Sequence, residues 1–373
     1  MMWPTVQVNQ HNQLQGETKE IERILLFIGK GKTNVGKTIA VNTQTDFDEV
    51  LGTPDSPLKS NVLSAMRNAG QNWSGYVHVL AEDAEELAFV DAVMDAQAVA
   101  SCEGYVLIGD ATKAVIQSAK SLRSDLIAKH GRWLFAILGV GATQDDEAWS
   151  GYVERLSALS KGEAESSIQL VPMLWGNEVG ALAGRLCNRA VTIADSPARV
   201  KTGALTDLGS AYFPLDGTGK SLDLATLQAL EKQRFSVPMW YPDYDGLYWS
   251  DGRTLDVEGG DYQSIENLRV VDKVARTVRI RAIAKIADRS LNSTPSSIEA
   301  HQAYFAKVLR EMSRSTQING VSFPGEVKPP KEGDVVITWK NKNNVEVYIT
   351  VRTYECPKGI TIGILLDTSL ENE

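Results

Sequence analysis

The stretch LLFIGKGKTNVGKTIAV, residues 25–41, can be read in two ways, and the choice decides whether a helix or a strand comes after its loop. GKTNVGKT matches the phosphate-cradling pattern G-x-x-x-x-G-K-[ST] at Gly31, Gly36, Lys37 and Thr38. That pattern binds nucleotide when a strand feeds the loop and a helix starts directly after it, with its positive end at the phosphates. The strand is present in RILLFIG. After the loop, however, Thr38, Ile39, Val41, Thr43 and Thr45 make a β-branched run that alternates apolar and polar, which predicts a second strand and turns residues 30–37 into a hairpin loop. A short helix is expected only at TDFDEVLG, capped by Thr45 or Asp46 and ended by Gly52.

Beyond that loop, short apolar runs alternate with amphipathic ones. GYVHVLAED (75–83), GYVLIGD (104–110), RWLFAILGVG (132–141) and IQLVPML (168–174) are expected strands. AEELAFVDAVMDAQ, TKAVIQSAKSLRSDLIAKHG and DEAWSGYVERLSALSKG carry apolar residues at helical spacing. The alternation implies an α/β layer with largely parallel strands. In GNEVGALAGRLCN the glycines Gly176, Gly180 and Gly184 recur every fourth residue within a helical pattern, which predicts close helix packing rather than a dinucleotide turn.

From Ser196 to Asp261 the chain turns rich in Gly, Pro and aromatics and reads as loops and hairpins. A long helix is expected in SIENLRVVDKVARTVRIRAIAKIADRS and another in SSIEAHQAYFAKVLREMSRS. The last segment, VVITWKNKNNVEVYITVRTYECPKGITIGILLDTS, predicts two or three strands, the last close to residue 373; Trp3 to Gln10 also reads as extended.

Composition narrows the function. The 373 residues, 43% apolar and 23% charged, fit a folded multi-domain chain. The charge of −9 argues against general nucleic-acid binding. Cys102, Cys187 and Cys356 lack C-x-x-C spacing and are expected to be buried apolar residues in a reducing compartment. His11, His78, His130 and His301 form no H-x-x-x-H pair, so no metal site is expected. WLFAILGVGA is half the length of a membrane helix, and MMWPTVQVNQ lacks the pattern of a secretory signal. Asp243, Asp245 and Asp251 miss the EF-hand register, because Leu247 and Tyr248 occupy its third-ligand and glycine positions; they are expected on a surface hairpin. No G-x-S-x-G elbow is present. Asp110, at the end of YVLIGD, is a weak Walker-B analogue.

On the long helix, Arg269, Lys273, Arg276 and Arg279 fall on one stripe, and Val270, Val271, Val274, Val278 and Ala282 on another. The basic stripe predicts either a solvated face or a dock for an acidic partner.

Taken in order, these features resemble the sheath proteins of contractile phage tails and related injection particles, those of Mu-like phages most. The resemblance rests on DGLYWSDGRTLDVEGGDYQSIENLRVVDKVARTVRIRAIAKI, on the closing VEVYITVRTYECPKGITIGILLD, and on the entry PTVQVNQHNQLQGETKEIERILLFIG. It implies an α/β, overall α+β, chain: an N-terminal arm over 1–22, an outer inserted α/β domain over 23–195, and an inner domain over 196–373 ending in a strand arm. It implies a structural virion subunit without cofactor or catalytic site, assembled in the bacterial host cytoplasm. Its expected partners are further copies of itself in a helical polymer, the tail tube, baseplate and tail terminator proteins, with no nucleic acid and no membrane insertion. The basic stripe Arg269, Lys273, Arg276 and Arg279 is then expected to face the tube. The alternative is a P-loop-type NTPase using GKTNVGKT.

Overall fold

The computed structural model describes residues 21–366, so the extended segment expected at Trp3–Gln10 lies outside them. Strand β1 (Leu25–Lys30) is buried along nearly its whole length, and loop 31–37 leads into strand β2 (Thr38–Asn42), as the β-branched run predicts. Helix α1 (Phe47–Leu51) is capped by Asp46, whose carboxylate accepts the N–H groups of Asp48 and Glu49, and it stops at Gly52 with φ 96°.

Next comes a helix absent from the sequence reading, α2 (Pro57–Ala69), with Ser56 as its cap and proline in its first turn. It is followed by β3 (Ser74–Leu80), α3 (Phe89–Ala96), β4 (Gly104–Leu107), α4 (Lys113–His130), β5 (Phe135–Val140), α5 (Trp149–Ser160), β6 (Ile168–Pro172) and α6 (Glu178–Cys187). The sheet order is β2-β3-β1-β4-β5-β6, with β2 antiparallel to β3 and the other pairings parallel. This is the expected α/β layer, with one antiparallel edge.

The glycines of α6 pack as their spacing predicts. A Cβ on Gly180 would stand 2.1 Å from the Asn61 carbonyl oxygen, and one on Gly184 2.4 Å from that of Ala65, so the α2 backbone sits directly on the α6 surface. Asn61 adds a polar tie, its Oδ1 accepting the Gly180 N–H at 3.0 Å.

Residues 196–261 are more ordered than loops and hairpins alone. They contain a helix absent from the sequence reading, α7 (Leu224–Lys232), and the hairpin of β7 (Pro238–Tyr241) and β8 (Tyr244–Trp249). Their backbone also seals the open side of β6: Ser236 N–H donates to Leu170 O at 2.9 Å and Leu255 N–H to Ile168 O at 2.8 Å. The main hydrophobic core runs without a break from Leu25 to Leu268.

The remaining elements are α8 (Ile265–Ile283), α9 (Pro295–Met312), the short hairpin of β9 (Thr316–Ile318) and β10 (Val321–Phe323), and the hairpin of β11 (Val335–Asn341) and β12 (Asn344–Ile349). The expected long helix thus ends at Ile283, with residues 284–292 in turns. Val270 and Val274 pack with Ile193, Leu309 and Val327, while Phe305, Val335 and Ile337 form a separate small core. No strand forms between 351 and 366, contrary to the strand expected near the chain end. Cys102 and Cys187 are buried as expected, whereas Cys356 is exposed.

Candidate assembly surfaces

The loop of the phosphate-binding motif is not the expected hairpin turn: β2 pairs with β3 and not with β1, so residues 31–37 cross the end of β3, and bonds to β3 and within the loop fill it. Gly31 N–H donates to Leu80 O at 2.9 Å, Gly36 N–H to Val79 O at 2.8 Å and Lys37 N–H to Asn34 O at 3.1 Å, so donors that a phosphate would need are already engaged. Lys37 Nζ donates to Asn34 Oδ1 at 3.3 Å, and Thr38 Oγ1 lies 2.9 Å from His78 Nδ1. With β2 following the loop, the helix that a phosphate loop feeds directly is replaced by a strand. Asp110 closes a loop, its Oδ1 accepting the Gly141 N–H at 2.8 Å.

The basic stripe of α8 is not a solvated face. Arg269 is 2% exposed and grips Glu103, just before β4, through Nε to Oε1 and Nη2 to Oε2, both 2.7 Å; it also donates to Leu186 O at 2.9 Å. Arg276 is 9% exposed and donates to Glu22 Oε1 at 2.8 Å and Trp133 O at 3.2 Å. Lys273 pairs with Glu326 at 2.7 Å. Arg279 is exposed, its guanidinium resting on Gly131, where a Cβ would stand 2.2 Å from Nε. Asp272, between these cations, receives Arg123 of α4 at 2.8 Å.

The stripe therefore does two jobs. Arg269 and Arg276 tie α8 to the α/β layer, Lys273 ties it to the segment before β11, and Arg279 alone of the four faces outward. The reason is that each buried cation finds a carboxylate distant in sequence, which helical periodicity cannot reveal. Burial pushes the Glu103 carboxyl up, and the Arg269 guanidinium, with Arg276 and the Arg23 N–H, together pull it down further, leaving it below its ordinary value. At Asp272 burial outweighs Arg123, so that carboxyl sits above its ordinary value.

The aspartates of the aromatic segment also have structural roles. Asp243 turns the β7–β8 hairpin with φ 62°, the Asp245 carbonyl accepts the Tyr248 hydroxyl at 2.8 Å, and Asp251 binds Lys358.

Two surfaces are left unfilled. The hairpin β11–β12 is a two-stranded sheet, pairing with no further strand among the described residues. Its inner face carries the buried Val335 and Ile337, and its outer face exposes Val336 (44%) and Tyr348 (57%), which pair with each other. Beyond it, residues 359–366 extend from the body with Ile360, Ile362 and Ile364 exposed at 77%, 77% and 90%, and Leu366 at 86%. A period of two with one apolar face is the pattern of a strand that lacks a sheet. Periodicity shows this segment; what it does not show is that the segment pairs with no strand among the described residues.

Comparison with known proteins agrees with this architecture. Residues 3–253 match the family model "DUF2586, N-terminal domain" and residues 261–369 match "DUF2586, C-terminal domain". A protein of Haemophilus phage HP1 (strain HP1c1), provisionally named a tail sheath protein, is 56% identical over 373 residues, covering 98% of each chain. The fold is similar to the contracted helical sheath of the anti-feeding prophage (TM-score 0.60, 12% identity, 98% of this chain and 99% of that one). It is also similar to a sheath tail protein from Listeria innocua (TM-score 0.56, 8% identity, 90% and 93%). The chain belongs to the DUF2586 family of tail sheath proteins.

Proposed function

We propose that the protein is the structural subunit of a contractile tail sheath, polymerising helically around a tail tube and contracting to drive the tube through the host envelope. The observation that carries this reading is the pairing of an unpaired apolar arm, 359–366, with a two-stranded hairpin whose edges are open. A two-stranded hairpin is marginal alone, and an exposed edge is a template for another chain. An arm from one copy laid along β11 or β12 of the next satisfies both, each exchanged hydrogen bond contributing about 0.5–1.5 kcal/mol and each isoleucine about 1.5–3 kcal/mol when fully buried. Contacts of this head-to-tail kind propagate into rings or open helices.

In this reading the N-terminal arm, expected over 1–22, is exchanged in the same way except for Glu22, which Arg276 holds in its own protomer, and the α/β unit stands outside an inner unit formed by α8, α9 and the β11–β12 hairpin. The unbroken core to Leu268 favours an outer unit that reaches beyond residue 195, to the start of α8. Of the stripe assigned to the tube, Arg279 is the member able to meet an acidic surface. It lies at the end of α8 with the exposed Arg289 and with Ile280, Ile283 and Ile286, which are 46%, 54% and 78% exposed. Baseplate and terminator proteins would cap the polymer, which is assembled in the host cytoplasm and resides in the virion tail. Among the described residues no helix is long and apolar enough to cross a membrane. Contraction needs no nucleotide if the subunits are assembled in a higher-energy packing held by a barrier. Electron microscopy of the purified protein tests the proposal: striated tubes of uniform width support it, and a population that stays monomeric at high concentration contradicts it.

A further inference from the structure

The arm does not leave the body where the last strand ends. Between β12 and the arm, residues 350–358 form neither strand nor helix, and they cross from the hairpin to the first turn of α8. Their near end is fixed: Lys328 N–H donates to Arg352 O at 2.7 Å, and the Lys328 ammonium pairs with Glu355. Their far end is held by one side chain. Lys358 Nζ donates to Ser264 Oγ at 2.6 Å and Glu266 Oε1 at 3.0 Å, and it pairs with Asp251. Between these points, residues 353–358 make no backbone–backbone hydrogen bond among the described residues. Beneath them lies a cavity of about 520 Å³, walled by Asp195, Asn267 and the strap's own Tyr354 and Glu355. A segment pinned at its ends over a void has little packing to lose when it lifts.

We propose that residues 353–358 are a peelable strap and that Lys358 is its pin, so that a pull on the arm lifts the strap and lengthens the tether between copies. The inference rests on the reading of 359–366 as a donated arm. Release of Lys358, followed by the exposed Lys328–Glu355 pair, moves the anchor back to Arg352 and frees six residues, about 20 Å of extended chain. The pin is suited to repeated use. Asp251 follows β8 and Glu266 opens α8, so Lys358 neutralises two carboxylates on separate elements, one of them buried with Oε2 lacking a hydrogen-bond partner. Lifting Lys358 leaves those charges facing each other, which draws it back. Neighbouring copies could then shift relative to each other without dropping the exchanged strand.

The test is limited chymotrypsin digestion of the full chain, with cleavage after Tyr354 read by mass spectrometry. In the free protomer, Lys358→Gln should speed that cleavage by about tenfold or more while cleavage within β11 and β12 is unchanged. Asp251→Asn, which keeps Glu266 paired with Lys358, should do so to a smaller extent. In the polymer, cleavage after Tyr354 should differ in rate between extended and contracted sheaths, while the amides of 359–366 gain protection from hydrogen exchange in both. Unchanged cleavage after Tyr354 in both variants, or equal cleavage in both sheath states, overturns the proposal. Failure of 359–366 to gain protection on assembly would instead refute the donated arm on which it rests.

Discussion

Arg269 and Glu103 are joined at two points inside the protein, Nε to Oε1 and Nη2 to Oε2, each 2.7 Å, with side chains 2% and 1% exposed. The pair binds α8 to the residue that precedes β4, 166 positions away. A forked pair of this geometry fixes orientation as well as distance, so it sets how the helix sits on the α/β layer.

Breaking the pair should be costly, and replacing it much less so. Arg269→Met leaves Glu103 buried and unpaired and should cost about 3–5 kcal/mol, whereas Arg269→Met with Glu103→Met should recover most of that loss. Urea denaturation of the variants checks this; a single variant as stable as the parent would show that the pair does not secure the helix.

The same pair predicts acid sensitivity. Because Glu103 is held below its ordinary value in the fold, its contribution is fully present above the unfolded carboxylate value of 4.5 and is lost as pH falls below it. Thermal scans from pH 6 downward should show a steeper loss of Tm in the parent than in Glu103→Gln, which starts lower. Parallel curves would contradict the assignment.

The close packing of α6 on α2 admits no methyl group. Ala improves helix propensity by about 1 kcal/mol. Against that, a Cβ placed 2.1 Å or 2.4 Å from backbone oxygen forces the two helices apart. Gly180→Ala and Gly184→Ala should each be destabilising by about 2 kcal/mol net or more, measured by chemical denaturation.

The loop between β1 and β2 should be indifferent to its lysine. Lys37→Ala removes a bond to Asn34 of 3.3 Å at an exposed site, and the change in stability should stay within about 0.5 kcal/mol. Calorimetric titration of ATP or GTP into the parent should release no binding heat; saturable binding lost in Lys37→Ala would restore the NTPase reading.

These residues also show what can be read from sequence and what cannot. The strand after the loop is legible because Ile39 and Val41 state it locally, but its partner is not: β2 pairs with β3 rather than turning back on β1, a choice made by residues about 35 positions on. The α6 glycines are legible because a period of four has one packing meaning. Helix α2 is harder to read because its apolar stripe, Leu58, Val62, Ala65 and Ala69, is narrow and ends in two alanines, and the buried Lys59, Asn61, Ser64 and Asn68 flank it with polar residues. The stripe of α8 misleads for the opposite reason. Its cations look solvated until Glu22, Glu103 and Glu326 arrive from remote parts of the chain. Local patterns report the backbone; partners across the fold decide which charges are available to another molecule.

The most direct test of the donated arm is a chain ended after Lys358, compared with the full chain by sedimentation velocity and electron microscopy. Among the described residues the isoleucines of 360–364 stand 77–90% exposed, so the shortened chain should fold with unchanged thermal stability and remain monomeric where the full chain forms tubes. Tubes of normal width from the shortened chain would contradict strand donation as the basis of assembly.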